Sequence, residues 1–272
     1  MEKIDRSHLT FIAIQAALSA GEVLKKGFGT SFRIESKPGK QNFVTEYDKA
    51  SEKCILALIK QEFPHHRFLA EESGASSHSD SSVVWVIDPL DGTLNFAHHV
   101  PVFTISIAVA IEKEVVSGVI YQPISQELFV AEKGKGAYLN GTRITVSKTR
   151  ELNDAMLATG FPYNVDQNPL HCIERFALMT KLGIPIRRLG SAALDLAYVA
   201  AGRFDAYWEV TLHPWDMAAG KLLVEEAGGK VTHWDGSAHQ IFGHESILAT
   251  NGLLHASMKD RLNQPPTWGS SP

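Results

Sequence analysis

Apolar residues at Leu9, Ile12, Ala13, Ala16, Ala20, Val23 and Leu24 recur near helical spacing, which predicts a first helix capped by Ser7 and ending near Gly27. A second helix is entered at Thr45, with Asp48 three residues on in a capping-box pattern. Ile55, Leu56, Leu58 and Ile59 carry it until Pro64. The period then falls to two. Arg67 to Ala70 reads as a short strand and Ser82 to Asp88 as a stronger one. From Val102 to about residue 148 the runs FTISIAVAIE, VVSGVIYQP, ELFVAEK and GAYLN are separated by charged or glycine-containing turns, the pattern of an antiparallel sheet. Beyond residue 151 strands (155–159, 186–189, 204–209) alternate with helices (about 168–182, SAALDLAYVAAG, 215–227), followed by two short strands and a helix from about residue 252. This predicts two lobes, an α+β lobe over 1–148 and an α/β lobe over 149–265, with the turn-forming residues 266–272 as a loose tail.

One apolar run ends unusually. WVIDPLDGTLNF places Asp88 and Asp91 three residues apart at the end of a strand, followed at once by Gly92-Thr93. A strand-to-turn loop explains one aspartate, through a side chain bonded to the backbone two residues on, but not two. A calcium loop is excluded, because Leu90, Gly92 and His99 stand where the EF-hand pattern needs acids. Glu71 and Glu72 after a short strand, and Asp216 at the start of a helix in HPWDMAAG, add further carboxylates at element ends. Converging carboxylates repel one another unless a cation pairs with them, and hard oxygen donors without a Cys or His set point to Mg²⁺ rather than Zn²⁺. Gly92 permits close backbone approach, and the turn opened by Thr93 offers amides to a phosphate.

Composition narrows the picture. The 272 residues are 44% hydrophobic and 21% charged, an ordinary globular balance. The 26 basic and 30 acidic residues, net -4, are mixed along the chain, which gives no footprint for nucleic acid. Cys54 and Cys172 sit in apolar helical segments and read as buried thiols, and the first helix is broken by Gln15 and Ser19 and lacks a cleavage site. A cytoplasmic protein that meets no membrane is the expectation. His65-His66 and His98-His99 lack a third ligand, and Gly134-Lys135-Gly136 lacks the third glycine of a dinucleotide loop. Asp195 and Asp205 read as solvated or capping acids. Glu72 is expected to point away from Glu71, as neighbours on an extended segment do.

EES, DPLDGTLNF and HPWDMAAG, in this order and spacing, resemble the inositol monophosphatase family, and so do FVTEYD, GVIYQP, AEKGKGAYLNG, GSAALDLAYVAAGRFDAYWE and EEAGG, over about residues 7 to 260. The resemblance implies the layered αβαβα sandwich of sugar phosphatases, usually a homodimer, with the site between the lobes. It implies a first Mg²⁺ on Glu71, Asp88 and the Leu90 carbonyl, a second on Asp88, Asp91 and Asp216, a third and weaker ion on Glu71, and inhibition by Li⁺. Thr93, positioned by Asp48, would help activate the attacking water. Gly92 and Thr93 would hold the phosphate, Gly190, Ser191 and Ala192 would line the polyol, and Glu209 and Arg187 would bind its hydroxyls. The implied activity is hydrolysis of myo-inositol 1-phosphate. Fructose-1,6-bisphosphate or another small sugar or nucleotide phosphate is the alternative substrate. An alternative of another class is a binding partner in a larger complex, with incidental phosphatase activity.

Overall fold

The computed structural model describes residues 5–37, 42–76, 81–243 and 246–264; the tail expected over 266–272 lies outside them. In chain order, helix α1 (Arg6–Gly27) precedes a hairpin of β1 (Ile34–Ser36) and β2 (Phe43–Thr45), then α2 (Glu46–Glu62), β3 (Arg67–Ala70), β4 (Gly74–Ala75), β5 (Val83–Asp91) and the short α3 (Thr93–Ala97). The meander β6 (Thr104–Ile111), β7 (Glu114–Gln122), β8 (Glu127–Glu132), β9 (Gly136–Leu139) and β10 (Thr142–Ile144) follows. The rest is β11 (Leu157–Thr159), α4 (Cys172–Lys181), β12 (Ile186–Arg187), α5 (Ala192–Ala200), β13 (Ala206–Glu209), α6 (Pro214–Glu226), β14 (Lys230–Thr232), β15 (Ile247–Thr250) and α7 (His255–Leu262).

Eight strands form one sheet in the order β10-β9-β8-β7-β6-β5-β3-β4, antiparallel except for the parallel pair β3 and β5. Five form a second, β12-β11-β13-β15-β14. Side-chain alternation sorts their residues into layers. Trp85, Ile87, Ile105 and Ile107 face α1 and α2 with Leu9, Leu24, Ile55 and Ile59. Val86, Ala108 and Ile120 face the opposite way onto α5 and α6, which Ala158, Tyr207 and Ala249 of the second sheet cover from behind. Leu157, Ala206, Trp208 and Leu248 close the last layer on Met179 of α4 and Met258 of α7. The layers are the αβαβα sandwich. α1 has the length and apolar content to cross a membrane, and half of its most apolar window is buried inside the protein.

Local details depart from the sequence reading. Asp5, not Ser7, caps α1: its Oδ1 accepts the Ser7 amide at 3.0 Å and the His8 amide at 3.4 Å. The helix expected from about residue 168 starts at Cys172, because Asn168, Leu170 and His171 take positive φ and break the preceding residues into short 3₁₀ turns. Cys54 is half-buried rather than buried, and both cysteines are free. Asp205 is buried, neither solvated nor a helix cap; it accepts the Met156 amide (2.6 Å) and the Ser147 hydroxyl, tying together segments that flank β11 and β13.

α6 lies directly on β7. A Cβ at Gly118 would meet the Ala219 carbonyl oxygen at 2.9 Å and its Cα at 3.0 Å, both backbone atoms that cannot swing aside. Gly118→Ala is therefore expected to lower stability by about 1–3 kcal/mol, read as the midpoint of urea unfolding. An unchanged midpoint would contradict this contact.

Candidate active site

β3 and β5 run parallel, Ala70 beside Ile87, so their C-terminal ends open at the same place, and the Glu71 amide donates to the Ile87 carbonyl (3.1 Å). Asp88 and Asp91, three apart, would face opposite ways on a regular strand. Against β6 their partners are Ser106 and Thr104, so β5 carries one extra residue between them. This bulge turns Asp91 back to the face of Asp88 while Leu90 points into the other core beside Phe96.

Each carboxylate is held by its own device. Asp88 Oδ1 accepts the Leu90 amide (3.0 Å). Asp91 Oδ2 meets the N-terminus of α5, accepting from the Ser191 hydroxyl (2.6 Å) and the Ala193 amide (2.8 Å). Asp216, in the first turn of α6, accepts the His213 amide at 2.7 Å. Helix N-termini favour negative charge, so both positions tolerate a carboxylate that a random loop would not. Asp48 is completed by the capping box of α2: its Oδ2 accepts the Thr45 amide (2.8 Å) and hydroxyl (2.5 Å), and its Oδ1 accepts the Thr93 hydroxyl at 2.8 Å. Thr93 Oγ1 also lies 3.0 Å from the Leu90 carbonyl oxygen.

Glu71, Asp88, Asp91, Thr93 and Asp216 line one cleft of about 580 Å³, together with Gly92, Gly190, Ser191, Ala192 and Glu209, and Asp48 stands behind Thr93. Gly92 has φ +97°, and a Cβ there would stand 3.0 Å from the Val102 carbonyl and 3.2 Å from that of Gly190, so no side chain fits. Glu209 enters from β13, its carboxylate accepting the Tyr207 hydroxyl. Arg187 is not brought in; it is exposed, and its guanidinium turns to the Ile186 carbonyl (3.4 Å). The next residue, Arg188, lines the cleft over the Phe161 ring, 4.8 Å from its centroid. β12 ends at Arg187, so strand alternation does not reach Arg188, and the two-residue strand fixes no phase that would tell which arginine points inward.

Other residues escaped the sequence reading. Lys37 donates to Glu71 (3.0 Å) and Glu72 (2.5 Å), so both glutamates turn to one cation instead of diverging: residues 71–73 form a turn, not an extended segment. Asp195 is buried in the wall of the cleft rather than solvated. Asn95 bridges the Val102 (2.7 Å) and Leu189 (2.8 Å) carbonyls, joining the turn after β5 to the entry of α5. Neither lysine nor buried acid carries a sequence signature, since both depend on what the fold places opposite them.

The electrostatics mark the cluster as incomplete on its own. Burial raises Asp88 well above the usual carboxylate range, and Glu71, Asp91 and Asp216 push it further. Asp216 is raised well above that range by burial and by Asp91. Burial raises Asp91 to about 6 despite its bonds to Ser191 and Ala193, Asp48 to about 6, and Glu209 to about 7. Among the described residues no three side chains close by themselves into a ready metal cage. The fit to a hard divalent cation rests on four clustered carboxylates in a cleft whose lining carries no thiol, and on mutual repulsion that a cation removes.

A model of the inositol monophosphatase family matches residues 5–265. The chain belongs to that family. Nus factor SuhB of Salmonella typhimurium is 44% identical over 257 residues, 93% of this chain and 96% of that protein. Inositol-1-monophosphatase of Caulobacter vibrioides is 42% identical over 252 residues, 92% and 98% of the two chains. The crystal structure of the extragenic suppressor protein suhB from Bartonella henselae superposes with a TM-score of 0.89 at 40% identity, covering 94% of this chain and 99% of that one. Members of the inositol monophosphatase family are generally metal-dependent phosphatases of phosphorylated small molecules.

The raised carboxyls predict a pH signature. Acids whose folded pKa exceeds the unfolded value stabilise the fold below the unfolded pKa and lose that contribution as pH rises through the folded one. For Asp48, Asp91 and Glu209 that window runs from about 4 to about 7. Chelator-treated protein is expected to melt at a lower temperature at pH 8 than at pH 5, and Mg²⁺ to raise Tm more at pH 8. An equal Mg²⁺ shift at both pH values would count against cation pairing.

Proposed function

We propose that this protein is a Mg²⁺-dependent phosphomonoesterase of small polyol phosphates, with myo-inositol 1-phosphate as its substrate. The observation that carries the reading is the convergence of Glu71, Asp88, Asp91 and Asp216 on one cleft beside the Thr93 and Asp48 pair. Glu71, Asp88 and the Leu90 carbonyl would hold one ion; Asp88, Asp91 and Asp216 would hold a second, and a third would lean on Glu71. When bound, the cations neutralise these carboxylates, stabilise charge on the phosphoryl oxygens and make a water more acidic. Li⁺ in place of one Mg²⁺ would supply too little charge.

The chain's own residues do the rest. Thr45 pins one oxygen of Asp48, so the other faces Thr93 and accepts a hydrogen bond from its hydroxyl. The Thr93 oxygen then has a lone pair left to accept from a water and aim it. Phe96 donates to the Gly92 carbonyl (3.0 Å), which leaves the amides at the start of the turn without internal partners and open to a phosphate. Ser191 and the Ala193 amide keep Asp91 ionised and aimed, and Glu209 offers an acceptor to substrate hydroxyls. Ser191 is already committed to Asp91, which favours attack by water over a covalent serine intermediate.

Asp91→Asn and Asp216→Asn should each lower kcat on myo-inositol 1-phosphate by about 100-fold or more with the fold intact by circular dichroism. Turnover near wild type in either variant would sink the assignment.

The name Nus factor SuhB, carried by the Salmonella relative, favours a second reading, in which this chain also joins a larger protein assembly. Pull-down from lysate should then recover the same stoichiometric partner with wild type and with Asp91→Asn. A partner lost together with the carboxylate, or none, would remove this reading.

A further inference from the structure

Asp195 lies one turn into α5 and is 1% exposed. Its amide donates to the Ser191 carbonyl (3.0 Å) in the helix, while its carboxylate Oδ1 is buried without a hydrogen-bond partner. The residue lines the cleft next to Ser191, Ala192 and Glu209. The carboxylates that act on it are Glu209 and then Asp91. Neither carries a donor for it: Asp91 Oδ2 is taken by Ser191 and Ala193, and Glu209 by the Tyr207 hydroxyl.

The surrounding wall keeps this acid pair in place. A Cβ on Gly160 would overlap the Glu209 carboxylate, 2.0 Å from Oε2, so bare backbone makes room for Glu209 at the cleft. Tyr207, buried at 0% exposure, fixes the orientation of that carboxylate from behind. Asp195 therefore shares a wall with a held acceptor, and its Oδ1 has no partner of its own. A buried acceptor left unpaired is costly. The residue lines the cleft where the substrate reading puts a polyhydroxylated ring.

We propose that Asp195 is a specificity-determining residue that accepts a hydrogen bond from a substrate hydroxyl, forming with Glu209 an acceptor pair that reads two hydroxyls of an uncharged polyol. The proposal rests on the polyol phosphate reading of the cleft and deepens it. On that wall a second phosphate would meet two acidic side chains and, as cation, Arg188, which already acts on Glu209. The substrate class is thus a cyclic polyol monophosphate with free hydroxyls.

The test compares kcat/KM for myo-inositol 1-phosphate with that for cyclohexyl phosphate, which has the same ring and phosphate but no ring hydroxyls, in Mg²⁺-loaded protein. The ratio should fall about 10- to 100-fold in Asp195→Leu and stay nearer wild type in Asp195→Asn, whose amide oxygen still accepts. An unchanged ratio in Asp195→Leu, an equal loss on both substrates, or a fall in Asp195→Asn as deep as in Asp195→Leu would overturn it. Should Asp195→Leu not fold, Asp195→Ala takes its place with the same expected ratio. If wild type hydrolyses neither compound, the phosphatase reading fails by itself, and the same ratio taken from calorimetric dissociation constants decides the subsite.

Discussion

Four carboxylates pressed into one buried cleft repel each other, and the architecture around them is arranged to hold them there. Asp88 is 2% exposed and sits among Glu71, Asp91 and Asp216, each of which raises its proton affinity. No such cluster would form by packing alone, because desolvating like charges opposes folding. It is held by stronger structure. β5 is a central strand bonded on both sides, and α5 and α6 present their N-termini to Asp91 and Asp216. α6 in turn presses on Gly118 without an intervening side chain. The stability of the sandwich is what keeps the charges close, and the proposed divalent cation would make their closeness favourable.

The same arrangement separates tasks within the cleft. The bulge in β5 sends Asp88 and Asp91 to one face and Leu90 to the other, so one short peptide both feeds the hydrophobic core and supplies two carboxylates to the cleft. The capping box of α2, a device that starts a helix, leaves one Asp48 oxygen over for Thr93. Glu209 reaches the cleft from the second sheet, between Tyr207 behind it and Gly160 beside it. The clustered carboxylates thus come from the eight-stranded sheet and the helix layer, and Glu209, beside Asp195 of α5, from the five-stranded sheet.

Much of this was legible in the sequence because it is local. Helical periods, the Thr45 and Asp48 box, the alternating meander and the DPLDGT turn depend on residues within a few positions of one another, and they appear in the structure close to where the pattern puts them. What was not legible depends on contacts distant in sequence. Asp195 reads as a surface helix acid until the five-stranded sheet is laid over α5, and Asp205 until Ser147 and the Met156 amide are brought to it. Arg187 ends the two-residue β12 and Arg188 follows it, so no alternation tells which of the two enters the cleft. Lys37 joins Glu71 and Glu72 across more than thirty positions through a turn whose shape no spacing rule gives. The family resemblance brought Glu71, Asp88, Asp91 and Asp216 together, which the structure places on one cleft, but not the buried acid beside Glu209.

The central claim is that the carboxylate cluster is completed by divalent cations. Crystals grown with Mn²⁺ and measured at its absorption edge test this directly through the anomalous difference map. Two peaks are expected in the cleft, both within coordinating distance of the Asp88 carboxylate, one also contacted by Glu71 and the other by Asp91 and Asp216. A map with no peak between these side chains at millimolar Mn²⁺ would contradict the account.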